Sequence, residues 1–146
     1  MGINLTPEER FEVFGDKDPE QYAEEAEARW GGTETYAESQ RRAATYTKED
    51  WKRLQAEVDD WSERYAARVA AGESPDGEAA TGLAEEHRQH INRWFYECPY
   101  DMHRCLGDMY VSDERFRAFY DSVRPGLAAH LEEAIRANAD RGGSNG

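Results

Sequence analysis

Helix-start chemistry recurs along this chain. Thr6-Pro7-Glu8-Glu9 places a hydroxyl where it can accept from an orphan N–H, a proline at the first helical position and a carboxylate at the third. Asp18-Pro19-Glu20-Gln21 repeats that grammar, Thr33 stands ahead of another helical stretch, and Thr47-Lys48-Glu49-Asp50 opens the longest one. No segment alternates apolar and polar residues as a half-buried strand would. The expected fold class is all-α.

Stop signals fit the same plan. A short helix from Pro7 ends near Gly15, a second from Asp18 is stopped by Gly31-Gly32 just after Trp30, and Gly72 ends the long one. Within that long element Trp51, Leu54, Val58, Trp61 and Tyr65 step by three and four residues along one face. A loop from Ser74 to Gly77 leads into a helix with Leu83, His87, His90, Ile91 and Trp94 on one stripe. Pro99 then disfavours helical geometry at Cys98 and makes the sharpest break in the chain. The next helix, from about Asp101, is expected to turn Met102, Cys105, Leu106 and Met109 inward. One from Ser112 or Asp113 carries Phe116, Phe119 and Tyr120. Pro125 is expected at the first position of the last helix, built on Leu127, Leu131 and Ile135, with residues 140–146 as a disordered tail.

Composition matters where the two parts differ. Residues 1–46 hold eleven acidic and five basic side chains and, besides Met1, only Ile3, Leu5 and Val13 as larger aliphatics. Rings stand in for them: Phe11, Phe14, Tyr22, Trp30, Tyr36 and Tyr46. Such a segment forms local helices yet buries little to offset a backbone entropy of roughly 1–2 kcal/mol per residue. Either the rings complete the core, or they order when something gives them a surface. The second reading makes 1–46 a mobile lid, with Phe11, Phe14, Trp30 and Tyr36 as its contacts, over a core of residues 47–139.

At 146 residues the chain suits one domain, and its net charge of -13 would repel phosphates, which argues against direct nucleic-acid or anionic-membrane contact. No run of 18 apolar residues exists, and the first residues lack the charged and apolar regions of a signal peptide. A cytoplasmic protein is expected, with Cys98 and Cys105 as free thiols. Cys105 reads as a small inward hydrophobe, or as a nucleophile favoured by the helix start and by nearby His103 and Arg104. Cys98 reads as a boundary residue. The spacing of His87, His90, Cys98, His103 and Cys105 matches no metal motif. Nothing resembles a phosphate cradle or a nucleophile elbow, so neither enzyme nor cofactor is expected. The competing reading is a globin-like cofactor protein that places His87 or His90 on iron. Trp94, Phe95, Tyr96 and Tyr100 crowd a helix end beside the cysteines, where a large planar apolar ligand could stack.

The opening Met1-Gly2-Ile3-Asn4-Leu5-Thr6-Pro7-Glu8-Glu9, then Phe11-Glu12-Val13-Phe14-Gly15-Asp16, Tyr46-Thr47-Lys48-Glu49-Asp50-Trp51 and His87-Arg88-Gln89 carry a family likeness. So does Cys98-Pro99-Tyr100-Asp101-Met102-His103-Arg104-Cys105-Leu106-Gly107, continued by Met109-Tyr110-Val111-Ser112-Asp113-Glu114-Arg115-Phe116. From residue 1 to about Ala139 the chain resembles the antibiotic-recognition domains of TipA-type regulators in the MerR family. That resemblance implies an all-α, globin-like, non-enzymatic drug-binding domain, monomeric in isolation, which follows a DNA-binding part in full-length regulators. It implies thiopeptide ligands, thiostrepton-like macrocycles of thiazoles and oxazoles bearing dehydroalanine, sequestered in a resistance response. By the motif, Cys105 is the attaching residue and Cys98 is not, while His87, Tyr96, Tyr100, Met102 and His103 match the pattern. Trp94, Met109 and Phe116 complete the expected lining, and the resemblance implies an N-terminal region that folds over the drug.

Overall fold

A computed structural model describes residues 4–14, 28 and 31–145. Among these it holds seven helices and no strand: α1 (Pro7–Phe14), α2 (Glu34–Ala43), α3 (Lys48–Ala70), α4 (Glu78–Trp94), α5 (Tyr100–Ser112), α6 (Glu114–Val123) and α7 (Leu127–Asn145). The caps form as the sequence reads. Thr6 Oγ1 accepts from Glu9 N at 3.1 Å while Glu9 Oε1 accepts from Thr6 N at 3.0 Å, a reciprocal box. Thr47 and Asp50 repeat it at 3.2 and 3.0 Å, and Thr33 Oγ1 accepts from Tyr36 N. Gly72, at φ +77°, ends α3 in the left-handed region that a side chain would resist. Apart from Ala28, the helix expected from Asp18 to Trp30 lies outside the described residues.

Two expectations about the helices change. Pro125 does not open the last helix; it sits in the turn before it, where Gly126 at φ +86° reverses the chain and Leu127 becomes the first helical residue. That helix also continues past residue 140, the expected start of the tail, to Asn145.

The chain divides into two compact units, Met1–Glu57 with Arg93–Glu97, and Val58–Asn92 with Cys98–Gly146. The division falls within α3. In the first unit Trp51 is the hub: the rings of Phe14 and Tyr46 meet it edge-on, at 5.5 and 5.4 Å between centroids. Glu12 reaches from α1 to Lys52 (2.5 Å) and Lys48 (3.2 Å). In the second unit α5, α6 and α7 pack on one another around Tyr65, Leu83, Tyr110, Leu127, Leu131 and Ile135. At Gly107 α5 lies against α7: a Cβ there would stand in ordinary contact, 3.5 Å from Ile135 and 3.6 Å from Glu132. Tyr65 OH donates to His130 Nδ1 at 2.7 Å because the other ring nitrogen donates to the Glu73 carbonyl at 2.8 Å, which fixes the tautomer.

Candidate functional site

The second unit holds the chain reversal at Pro99 and the helix that follows it. A proline N-cap offers no side-chain acceptor to the start of α5, so the corner is fastened from α4 instead. Asn92 Oδ1 accepts from Cys98 N at 2.9 Å, and Arg88 Nη1 donates to the Cys98 carbonyl at 2.8 Å. The same guanidinium lies 4.2 Å from the centroid of the Tyr100 ring and forks onto Glu85 at 3.0 and 2.6 Å. Gln89 and Asn138 donate to Glu85 as well, at 2.8 and 3.0 Å. Burial alone would raise the Glu85 pKa, but these donors together outweigh it and hold the carboxyl at about 2.

One turn into α5 the inward face differs from the expected one. His103, Gly107 and Tyr110 are buried, whereas Met102, Leu106 and Met109 are half-buried and Cys105 is exposed. The reason is a partner. His103 Nε2 meets His87 Nδ1 at 2.9 Å, His87 Nε2 meets Tyr120 OH at 3.1 Å, and the Trp61 ring lies 5.0 Å from the His87 ring. A polar ring turns inward more readily once one of its nitrogens is answered. Burial, then Arg88, brings His103 down to about 4, and burial, then His103, pushes His87 down too, so the two stand as neutral imidazoles at neutral pH. Both His87 nitrogens are occupied, which leaves neither for iron. His103 Nδ1 is buried and has no hydrogen-bond partner among the described residues.

Cys98 is a second correction. It is not a loosely held boundary residue; it is wholly buried, and burial pushes its thiol up to about 11 against a partial offset from Arg88. The two thiols are free and oppositely placed, Cys98 inside and Cys105 at the surface.

Of the residues singled out from sequence, the second unit holds His87, Tyr100, Met102, His103, Cys105, Met109 and Phe116. Met109 and Phe116 pack half-buried on its core, Phe116 against the Tyr110 ring at 5.7 Å. The first unit holds Trp94, Tyr96, Phe11, Phe14 and Tyr36. There Trp94 is buried, its indole N–H donating to Glu57 at 3.0 Å and its ring edge-on to Tyr46 at 5.3 Å. Tyr96 and Tyr36 are half-buried, Phe14 is buried and Phe11 is 70% exposed. Trp30 lies outside the described residues. Sequence reasoning passed over Arg88 and Glu85; their three-residue spacing on one helix is the signal that was there to read.

A family model for the TipAS antibiotic-recognition domain matches residues 22–138. The HTH-type transcriptional activator TipA of Streptomyces coelicolor is 57% identical over 141 residues, 97% of this chain and 56% of the relative. The HTH-type transcriptional activator mta of Bacillus subtilis is 34% identical over 138 residues, 92% of this chain and 52% of its own length. The chain thus spans about half the length of these relatives. Among solved structures, nosiheptide in complex with TipAS, from a thiopeptide antibiotic multidrug resistance system of Streptomyces lividans, matches at a TM-score of 0.87 and 57% identity, over 97% of this chain and 99% of that one. The antibiotic-binding domain of a TipA-class multidrug resistance transcriptional regulator matches at 0.58 and 52% identity, over 63% of this chain and 98% of that one. The all-α, globin-like fold expected from sequence is the fold of the TipAS neighbour.

Proposed function

Because this chain belongs to the TipAS antibiotic-recognition domain family, we propose that it binds and sequesters thiopeptide antibiotics as the ligand-sensing part of a MerR-type transcriptional activator. The observation that carries this reading is the match, at 57% identity across 97% of the chain, to a domain solved with nosiheptide. The relatives are transcriptional regulators, which supports a sensor rather than an enzyme. A net charge of -13 leaves DNA contact to other parts of such a regulator. We take the domain to act in the cytoplasm as a monomer; among the described residues no helix is long and apolar enough to cross a membrane.

Cys105 is the residue we assign to covalent capture. Its exposure on α5, two residues from the buried His103, supports this. The thiolate sulfur adds to the β-carbon of dehydroalanine, the alkene electrons pass to the α-carbon, and that carbon takes a proton from water, leaving a thioether. In the second unit Tyr100, Met102 and Met109 on the same helix, with Phe116, offer the rings and thioethers we assign to the macrocycle, and in the first unit Tyr96 and Trp94 are assigned as ligand contacts by the family resemblance. His87 and His103 are buried on one another and hold α5 in register against α4. Residues 1–46 are the lid, supported by their wealth of rings and by the exposure of Phe11.

Titration with thiostrepton followed by intact mass tests the reading. One adduct of the drug's own mass is expected, abolished in Cys105→Ala and kept in Cys98→Ala, while affinity survives in Cys105→Ala because stacking and apolar burial select the ligand. An adduct that persists in Cys105→Ala overturns the attachment site, and no binding at all overturns the function.

A further inference from the structure

Tyr100 is covered by the end of the molecule's own last helix. The backbone at Gly142 passes so close that a Cβ there would fall on the ring of Tyr100, 2.6 and 2.7 Å from its two Cε atoms. Only glycine fits this approach. Around it α7 is fastened to its neighbours by polar contacts: Asp140 pairs with Arg104, Arg141 donates to the Asp76 carbonyl and, at 2.8 Å, to Thr81 Oγ1.

The ion pair among these is of a releasable kind: Asp140 is largely exposed and Arg104 partly so, and such a pair contributes little. The helix ends in Arg141-Gly142-Gly143-Ser144-Asn145, and glycines are the poorest helix formers short of proline. A buried wall of a permanent pocket would instead carry apolar side chains into the core, as Leu131 and Ile135 do earlier in the same helix. With Gly142 against Tyr100 and polar contacts alone fastening residues 140 and 141, this helix end has the character of a segment that opens locally.

We propose that the end of α7 is a built-in cover on Tyr100, which a thiopeptide must displace before it stacks there. This rests on the reading of Tyr100 as a ligand contact. The cover lowers apparent affinity by the fraction of molecules in which it is closed, and so sets the drug concentration at which the sensor responds. It also discriminates, since a ligand without a group to replace Gly142 against the ring gains nothing by opening it.

The test compares three chains: the whole one, one ending at Asp140, and Arg141→Ala. Binding of thiostrepton is followed by stopped-flow tryptophan fluorescence, and amide exchange is read with and without drug. Both altered chains are expected to bind three- to tenfold faster at limiting drug, and amides of 141–145 in the whole chain are expected to lose protection on binding. Equal or slower binding by both altered chains, or protection of 141–145 kept or raised by drug, overturns the cover and leaves the thiopeptide reading standing. No binding by any of the three overturns both.

Discussion

Two sulfur atoms seven positions apart separate by environment alone. Cys98 is pushed up to about 11 because burial strips its thiolate of water faster than Arg88 compensates, whereas Cys105 is at the surface. With iodoacetamide at pH 8, Cys105 is expected to be alkylated at least about a hundredfold faster than Cys98, which reacts only after denaturant is added. Equal labelling in the native protein would contradict the burial. The sequence showed the cysteines as free but placed them the wrong way round. Two stripes at three-four spacing run along α5, Met102-Cys105-Met109 and His103-Gly107-Tyr110, and hydropathy favours the first. What reverses the choice is His87, sixteen positions upstream, whose nitrogen answers His103. A partner so distant leaves no mark on local periodicity.

At the scale of elements the caps were legible because each is complete within four residues: Thr6 with Glu9, Thr33 with Tyr36, Thr47 with Asp50. Pro125 misled because proline serves equally well at a first helical position and at the second position of a turn, and Gly126 decided for the turn. Helix spacing, by contrast, was never in the pattern. At Gly107 α5 lies against Ile135, and a Cβ at 3.5 Å is ordinary contact, so Gly107→Ala is expected to stabilise by about 0.5–1 kcal/mol through helix propensity. Gly107→Leu is expected to destabilise by roughly 1–3 kcal/mol by overpacking. Urea melts check both, and a loss of stability with alanine would mean that the two helices are closer than described. If residues 1–46 act as the proposed lid, their amides are expected to gain protection from exchange when thiostrepton binds, while those of α3 beyond residue 57 change little. Protection at 1–46 already equal to that of α3 without ligand would make its rings ordinary core.

For the molecule as a whole, the paired imidazoles make acid the natural denaturant. His87 and His103 are held below the ordinary histidine value of about 6.5, so as pH falls the unfolded chain takes up protons that the folded one refuses. Stability is expected to decline from about pH 7 down to about 4, where His103 titrates in place, at up to ~1.4 kcal/mol per pH unit for each ring. Glu85 acts next: its folded value of about 2 against an ordinary 4.5 gives stability that is fully present above 4.5 and drains away toward 2. A urea midpoint that stays flat between pH 7 and 5 would refute the neutral pair. The two-unit division has a consequence for how the chain is made. Met1–Glu57 is completed only by Arg93–Glu97, so the nascent unit waits for 40 further residues (97 minus 57) to be added. At a synthesis rate of ~5–20 residues per second that is roughly 2–8 s. During that interval the Tyr46 ring has Trp51 on one side but no Trp94 on the other, so that side stays open to solvent until the return segment arrives.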